Sequence, residues 1–335
     1  MQKNDRGIWR GVDIKRRLSE FPNIWIKTKE LNSILKLVAH KIEFVTLTQE
    51  AQGVLVVCES GGGKTALTRE LGRLYPDVDL EDSTQRQMVL MDIPSTCSKA
   101  TLAKALLHAL KDPAWESGKA TENLARAIKL IRTCSVKILA VDNFHDIPER
   151  RDVKGVRAIG NWFRDLLDKV PVVFVALGTK EAKEVRLNNF QVRRRVMATK
   201  HINYFTLDTF EGRLAWKTMM KDIDDALPLA EASGLEKLPL SGLLFQASNG
   251  VFDYLITLLK YALPLAVRRG AERIEISDFE EAFILVNGDV ATQGNPFSPG
   301  FECRLLTRYP DDPFYELPAS KGAQVLEEIA DGASI

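Results

Sequence analysis

The chain has 335 residues, 45% of them hydrophobic and 27% charged, with a formal net charge of +1. That composition excludes a disordered or fibrous chain and gives room for one nucleotide-binding unit plus a smaller companion. Charge is uneven, since residues 287–335 hold three basic and eight acidic side chains; the mild excess of +6 on the rest permits nucleic-acid binding without demanding it.

The N-terminal stretch MQKNDRGIWRGVDIKRR is charged and lacks the apolar core of a signal peptide, and no later run reaches the ~18 apolar residues of a membrane span. Cys58, Cys97, Cys134 and Cys303 make no C-x-x-C pair, so neither a zinc site nor a disulfide framework is signalled. Both features lead to the expectation of a cytoplasmic protein without a membrane partner. Leu31, Ile34, Leu35, Val38 and Ile42 follow helical spacing. Short β-branched runs come next, at Val54–Val57, Val89–Ile93, Ile138–Val141, Val172–Ala176 and Ile202–Leu207, and most are followed by helix-length stretches.

Near-continuous apolar strands alternating with helices predict a parallel sheet covered on both faces, hence an α/β class. From about residue 210 the patterns are helical only: GRLAWKTMMKDI, LSGLLFQAS, DYLITLLKYALPLAVRRG and SDFEEAFILV. The expected organisation is an N-terminal segment and helix over 1–50, an α/β nucleotide-binding domain over 51–209, a helical lid over 210–288 and an extended acidic tail over 289–335.

The strand GVLVV runs into CESGGGKTALTRELGRL, the strand–loop–helix context of a phosphate-binding loop. Gly61, Gly62 and Gly63 let backbone amides turn inward around phosphate oxygens. Glu59, Ser60 and Ala66 complete the candidate ATP-binding stretch. Lys64 is placed to reach the β and γ phosphates and Thr65 to ligate Mg²⁺, at the positive end of the following helix. Cys58 departs from the pattern by standing where a first glycine is usual.

The strand KILAV ends in Asp142, a second candidate Mg²⁺ ligand. ATPases of this class usually follow that aspartate with a glutamate that polarises the attacking water, whereas here the residue is Asn143. An amide orients water but takes no proton. Either hydrolysis is slow, or His145, Asp146 or Glu149 substitutes. The strand VPVVFVALGT ends at Gly178 and Thr179, where a hydroxyl would sense the γ-phosphate. In NNFQVRRRV, Arg193, Arg194 and Arg195 precede the last strand, and Arg194 or Arg195 is a candidate finger toward a neighbouring subunit's nucleotide.

With these elements in order, the chain resembles the TniB/TnsC-type AAA+ regulators of DNA transposition, which are related to initiator-type ATPases. Residues 20–297 carry the resemblance, through W-I-K-T, C-E-S-G-G-G-K-T, D-N-F-H, A-L-G-T, Q-V-R-R-R-V and N-P-F at Asn295–Phe297. It implies a P-loop AAA+ three-layer fold with a parallel five-stranded sheet and a small helical lid. It further implies an ATP- and Mg²⁺-dependent homo-oligomer, a hexameric or heptameric ring or a helical filament, that assembles on double-stranded DNA. Such an oligomer recruits a transposase to a target chosen by a target-selection protein or an RNA-guided complex. DNA-facing residues of the family lie after the second strand and at the start of the helix before the Asp142 strand, which places Thr96, Lys99, Lys119 and Thr121 as candidates. Asp253 stands about where related lids carry a sensor arginine. Two further readings remain: an ATP-gated scaffold with little hydrolysis, and an initiator or signalling ATPase without a transposase partner.

Overall fold

A computed structural model of the chain describes residues 6–21, 28–81, 84–149, 152–187, 190–196, 198–287 and 294–301. The chain divides into two compact units, Lys29–Asn203 and Met1–Thr28 with Tyr204–Ile335. The N-terminal segment holds a 3-10 turn, Arg6–Trp9, and helix α1, Ile14–Glu20. The first unit runs α2 (Lys29–Thr48), β1 (Gln52–Cys58), α3 (Lys64–Leu74), β2 (Asp77–Asp79), β3 (Thr84–Arg86), β4 (Met88–Asp92), α4 (Lys99–Ala109) and α5 (Ala120–Thr133). It continues through β5 (Ile138–Asp142), α6 (Asp146–Glu149), α7 (Val153–Leu167), β6 (Val173–Gly178), α8 (Ala182–Leu187), α9 (Phe190–Arg195) and β7 (Ala198–Ile202). The remaining helices are α10 (Phe210–Ala226), α11 (Leu240–Ser248), α12 (Phe252–Arg268) and α13 (Ile276–Asn287).

The sheet is five-stranded in the order β4-β5-β6-β1-β7, and every pairing in it is parallel. Six of the seven residues of β1 and all six of β6 are buried, as strands covered on both faces require. Because the strands are parallel, their carboxyl ends share one edge, where the loops that carry chemistry gather. Phe144, Phe163 and Phe174 form a ring cluster under that edge, with centroids 5.3–5.9 Å apart. The α/β architecture agrees with the sequence expectation.

Three local differences have physical causes. The last strand lies at Ala198–Ile202, not Ile202–Leu207. Phe205 belongs to the helical unit, where its N–H donates to the Gly250 carbonyl at 3.1 Å, and a Cβ on Gly250 would stand 2.1 Å from the Phe205 oxygen. Helix α2 is part of the α/β unit, since Leu31, Ile34 and Val38 are buried and the helix packs on β1, β6 and β7. The compact units therefore meet at 28/29 and 203/204 rather than at 50/51 and 209/210. A short antiparallel hairpin, β2–β3, was not anticipated because DVD and TQR carry no apolar alternation; Arg86–Asp77 and Thr84–Asp79 contacts, each 2.9 Å, tie it together.

The N-terminal segment is anchored to the helical unit by charge. Arg17 is buried; it donates to both carboxylate oxygens of Glu272, at 2.9 and 3.1 Å, and to the carbonyls of Val12 and Trp9. Arg6 reaches the Asp224 carbonyl and the Asp225 carboxylate. The 294–301 segment is also docked rather than extended: Asn295 donates to the Glu280 carbonyl at 2.8 Å and accepts from the Phe297 N–H at 3.0 Å. Phe297 is 4% exposed and stacks on Phe279 with centroids 5.4 Å apart. Most of the W-I-K-T stretch, Cys303 and the rest of the acidic tail lie outside the described residues. Among the described residues no single helix is long and apolar enough to cross a membrane; α11 and α12 pass that test only as a pair bent by 118°.

Phe297→Ala removes a stacked, buried ring from the helical core and is expected to lower that unit's stability by about 3 kcal/mol. Calorimetric unfolding would show it, and a loss below about 1 kcal/mol would mean that the segment is not anchored there.

Candidate functional site

β1 ends at Cys58, residues 59–63 turn, and α3 opens at Lys64. Gly61 and Gly63 have φ of +72° and +114°, backbone conformations that a side chain strains. The Gly62 N–H closes the turn on the Glu59 carbonyl at 3.2 Å. Gly63 caps α3 without any side-chain hydrogen bond, so the first amides of that helix face the loop with the positive end of its dipole. Ser60 and Thr65 are exposed, while Glu59, Gly61, Gly62, Gly63, Lys64 and Ala66 are half-buried.

The Lys64 ammonium folds back on the loop and donates to the carbonyls of Cys58 at 2.7 Å and Glu59 at 3.3 Å. A cation held by two carbonyls at the mouth of a glycine loop has chemistry that suits an anionic phosphate, which would displace those weaker partners. Burial pushes the Cys58 thiol up to about 11, against the pull of Lys64, and the charge of Asp142 also reaches it. The thiol is thus a neutral packing group beneath the loop.

Asp142 ends β5 directly across from Asp92, which ends β4. The Asn143 N–H donates to an Asp142 carboxylate oxygen at 2.8 Å, and its side-chain amide lies 3.5 Å from Asp92. Asp92 is exposed at the strand end, yet partial burial first, and the Asp142 charge second, raise its carboxyl above the usual range. Among the described residues no group of three His, Cys, Asp or Glu could cage a metal ion.

The next loop is fixed to β6, for the Phe144 N–H donates to the Leu177 carbonyl at 2.8 Å. His145 Nδ1 accepts from the Thr179 N–H at 3.4 Å, and its Nε2 lies 3.7 Å from Asp146. The Thr179 hydroxyl donates to Glu181, a residue that the sequence reading passed over. Burial would raise the Glu181 carboxyl, but the Thr179 hydroxyl, its own backbone and the charge of Lys180 hold it below the usual range. Of the substitutes considered for the missing glutamate, Asp146 is half-buried beside His145, and the Glu149 side chain lies outside the described residues.

The family model described as bacterial TniB protein matches residues 21–205, more than half of the chain. The chain belongs to the TniB family. The match spans the whole α/β unit, from α2 to β7. No curated protein matches the sequence. Solved structures give the fold: the Orc1 protein of Aeropyrum pernix, in complex with DNA, is 15% identical over 87% of this chain and 71% of that one, with a TM-score of 0.55. The ORC2 protein of Aeropyrum pernix, in ADPNP–ADP complexes, is 12% identical over 80% and 70%, with a TM-score of 0.57. Cdc6p of Pyrobaculum aerophilum is 17% identical over 79% and 69%, with a TM-score of 0.53. This TniB-family chain therefore has the P-loop AAA+ architecture, its five-stranded parallel sheet followed by helices.

Two groups of candidates lie elsewhere on the TniB-family unit. Arg195 pairs with Asp168 at 2.8 Å, whereas Arg194 is exposed and its side chain makes no hydrogen bond or ion pair among the described residues. Thr96, Lys99, Lys119 and Thr121 are all exposed. Ser98 caps α4 through a reciprocal pair with Thr101, whose hydroxyl also donates to the Thr96 carbonyl, so Lys99 stands at the first turn of a well-defined helix. Glu122 accepts from the Lys119 N–H at 3.0 Å at the start of α5. No hydrogen bond or ion pair among the described residues joins the Thr96–Lys99 pair to the Lys119–Thr121 pair.

Gly178 is tightly packed at this edge: a Cβ there would meet the Ala182 Cβ at 2.8 Å and the His145 backbone nitrogen at 3.0 Å. Gly178→Ala is expected to destabilise the α/β unit by about 2 kcal/mol through overpacking, measured by urea unfolding. An unchanged midpoint would show that the loop after β5 does not sit against β6.

Proposed function

We propose that the protein is an ATP-dependent regulator of DNA transposition: it oligomerises on double-stranded DNA and recruits or activates a transposase at a selected target. What carries this reading is the glycine loop with its inward-folded Lys64 at the carboxyl edge of a sheet that the TniB family model covers whole. In this reading Glu59–Ala66 cradle the phosphates, Lys64 neutralises them, and Thr65 and Asp142 hold Mg²⁺. Thr179 senses the γ-phosphate, and Arg194 reaches a neighbouring subunit's nucleotide while Arg195 is tied to Asp168. The same fold meets DNA in the Orc1 structure and ADPNP and ADP in the ORC2 structures, which supports a DNA-bound, nucleotide-dependent chain.

Thr96, Lys99, Lys119 and Thr121 would grip the duplex through phosphates, since ammonium and hydroxyl groups position a backbone without reading base edges. A target-selection protein or an RNA-guided complex would then supply the choice of site. A second reading, an ATP-gated scaffold with little hydrolysis, has a specific support in Asn143, which cannot accept the proton of the attacking water.

The test is assembly on duplex DNA, followed by electron microscopy and by binding at several salt concentrations. Rings or filaments are expected only with both duplex and ATP. Log affinity should fall with log salt at about −0.9 per phosphate contact, and Lys99→Ala and Lys119→Ala should each shallow that slope by about one contact. Nucleotide-bound monomers indifferent to DNA would overturn the proposal.

A further inference from the structure

The two pairs of proposed phosphate contacts sit at or just before the first turns of α4 and α5, and the connection between these helices decides where the second pair stands. α4 follows the carboxyl end of β4. α5 ends at the amino edge of the sheet, since the Arg86 N–H, two residues before β4, donates to the Cys134 carbonyl at 2.9 Å. The 14 residues of α5 span about 21 Å, which carries its first turn toward the carboxyl edge. Leu110 and Asp112, just after α4, line one open cleft with Leu130 and Cys134 at the far end of α5. The helices therefore run parallel and pack on each other, and residues 113–119 travel back along α5 before it begins.

That return has little apolar surface to hold it. Trp115 is half-buried, edge-on to the His108 ring with centroids 4.8 Å apart, and the other six residues are exposed. Arg126, on α5, supplies the tie. Its Nε pairs with the buried Asp112 at 2.7 Å, and its Nη2 donates to the carbonyls of Ala114 at 2.7 Å and Ser117 at 3.4 Å. Asp112 also accepts from the Ala114 N–H at 2.8 Å through its other oxygen. The chain then turns at Gly118, with φ +93°, where a Cβ would stand 2.5 Å from the side-chain oxygen of buried Asn123. Lys119 is the next residue.

We propose that Arg126 is a positioning residue for the duplex contact made by Lys119 and Thr121. The inference rests on the DNA-bound reading above and deepens it. A guanidinium carries several donors in a fixed fork, so one side chain holds a carboxylate and two carbonyls together. With the loop fixed at residues 112, 114 and 117, Lys119 meets a phosphate without first giving up the freedom of a loose segment. Lys99 needs no such tie, because Ser98 and Thr101 cap its helix locally.

The test measures duplex affinity against salt for wild type, Lys99→Ala, Lys119→Ala and Arg126→Ala, and for each lysine exchange combined with Arg126→Ala. Melting temperature and ATP binding are the folding controls. Alone, each lysine exchange is expected to shallow the log-log slope by about 0.9. In the Arg126→Ala background, Lys119→Ala is expected to shallow it by less than about half of that, while Lys99→Ala keeps its full effect, a split that general destabilisation would not produce. Equal Lys119→Ala effects in both backgrounds would overturn the positioning role. If neither lysine exchange moves the slope of otherwise wild-type protein, the DNA reading itself fails and the positioning role falls with it.

A second readout needs neither DNA nor a variant. The Trp115 and Ser117 N–H groups donate to the carbonyls of Asp112 at 3.2 Å and Ala114 at 3.1 Å. In wild type both amides are expected to exchange with deuterium at least about tenfold more slowly than in an unstructured chain. Unprotected amides would overturn the tie even if Arg126→Ala failed to fold.

Discussion

The structure depends on one constraint: strands paired in parallel end on the same edge. Gln52 pairs with Val173 and Val57 with Gly178, while Met88 pairs with Ile138 and Asp92 with Asp142. Those registers bring the glycine loop, the two aspartates and the Gly178–Thr179 corner to one rim without any side chain reaching across the molecule. Burial enforces the register, since a strand covered on both faces cannot slip without exposing its apolar residues or burying its neighbours' charges. Phe144, wedged among Phe163 and Phe174, carries the same constraint into the loop that presents Asn143 and His145.

Within that rim the chemistry is a competition for partners. Lys64 holds two carbonyls, Thr179 gives its hydroxyl to Glu181, and Asn143 divides its donors between Asp142 and Asp92. Each of these is a weaker or local partner that a phosphate, a metal ion or an ordered water would replace. Nucleotide binding in this account therefore re-pairs existing donors and acceptors rather than creating a site.

Much of this was legible in the sequence because it rests on local rules. Three consecutive glycines before Lys64 have few uses other than a turn with left-handed φ, and ILAVD and VFVALG read as buried strands from their runs of apolar residues. Asp92 was visible in the same way, since MVLMD ends in an acid just as ILAVD does, but only the register between the two strands gives it meaning. What the sequence could not disclose rests on long-range partners. Arg17 finds Glu272, Arg6 finds Asp224 and Asp225, and Phe297 finds Phe279, so the segments 6–21 and 294–301 belong to the helical unit in ways no spacing rule encodes. The run after Ile202 failed as a strand for the same reason: Phe205 pairs with Gly250, not with a neighbouring strand.

The central claim is that the loop from Glu59 to Thr65 holds nucleotide phosphates through Lys64. Equilibrium binding of a fluorescent ATP analogue with Mg²⁺, to wild type and to Lys64→Ala, tests it most directly. The account predicts saturable binding by wild type and at least about a tenfold weaker affinity for the variant, some 1.4 kcal/mol, with an unchanged melting temperature. Equal affinity in the two proteins, or none in wild type, would contradict it.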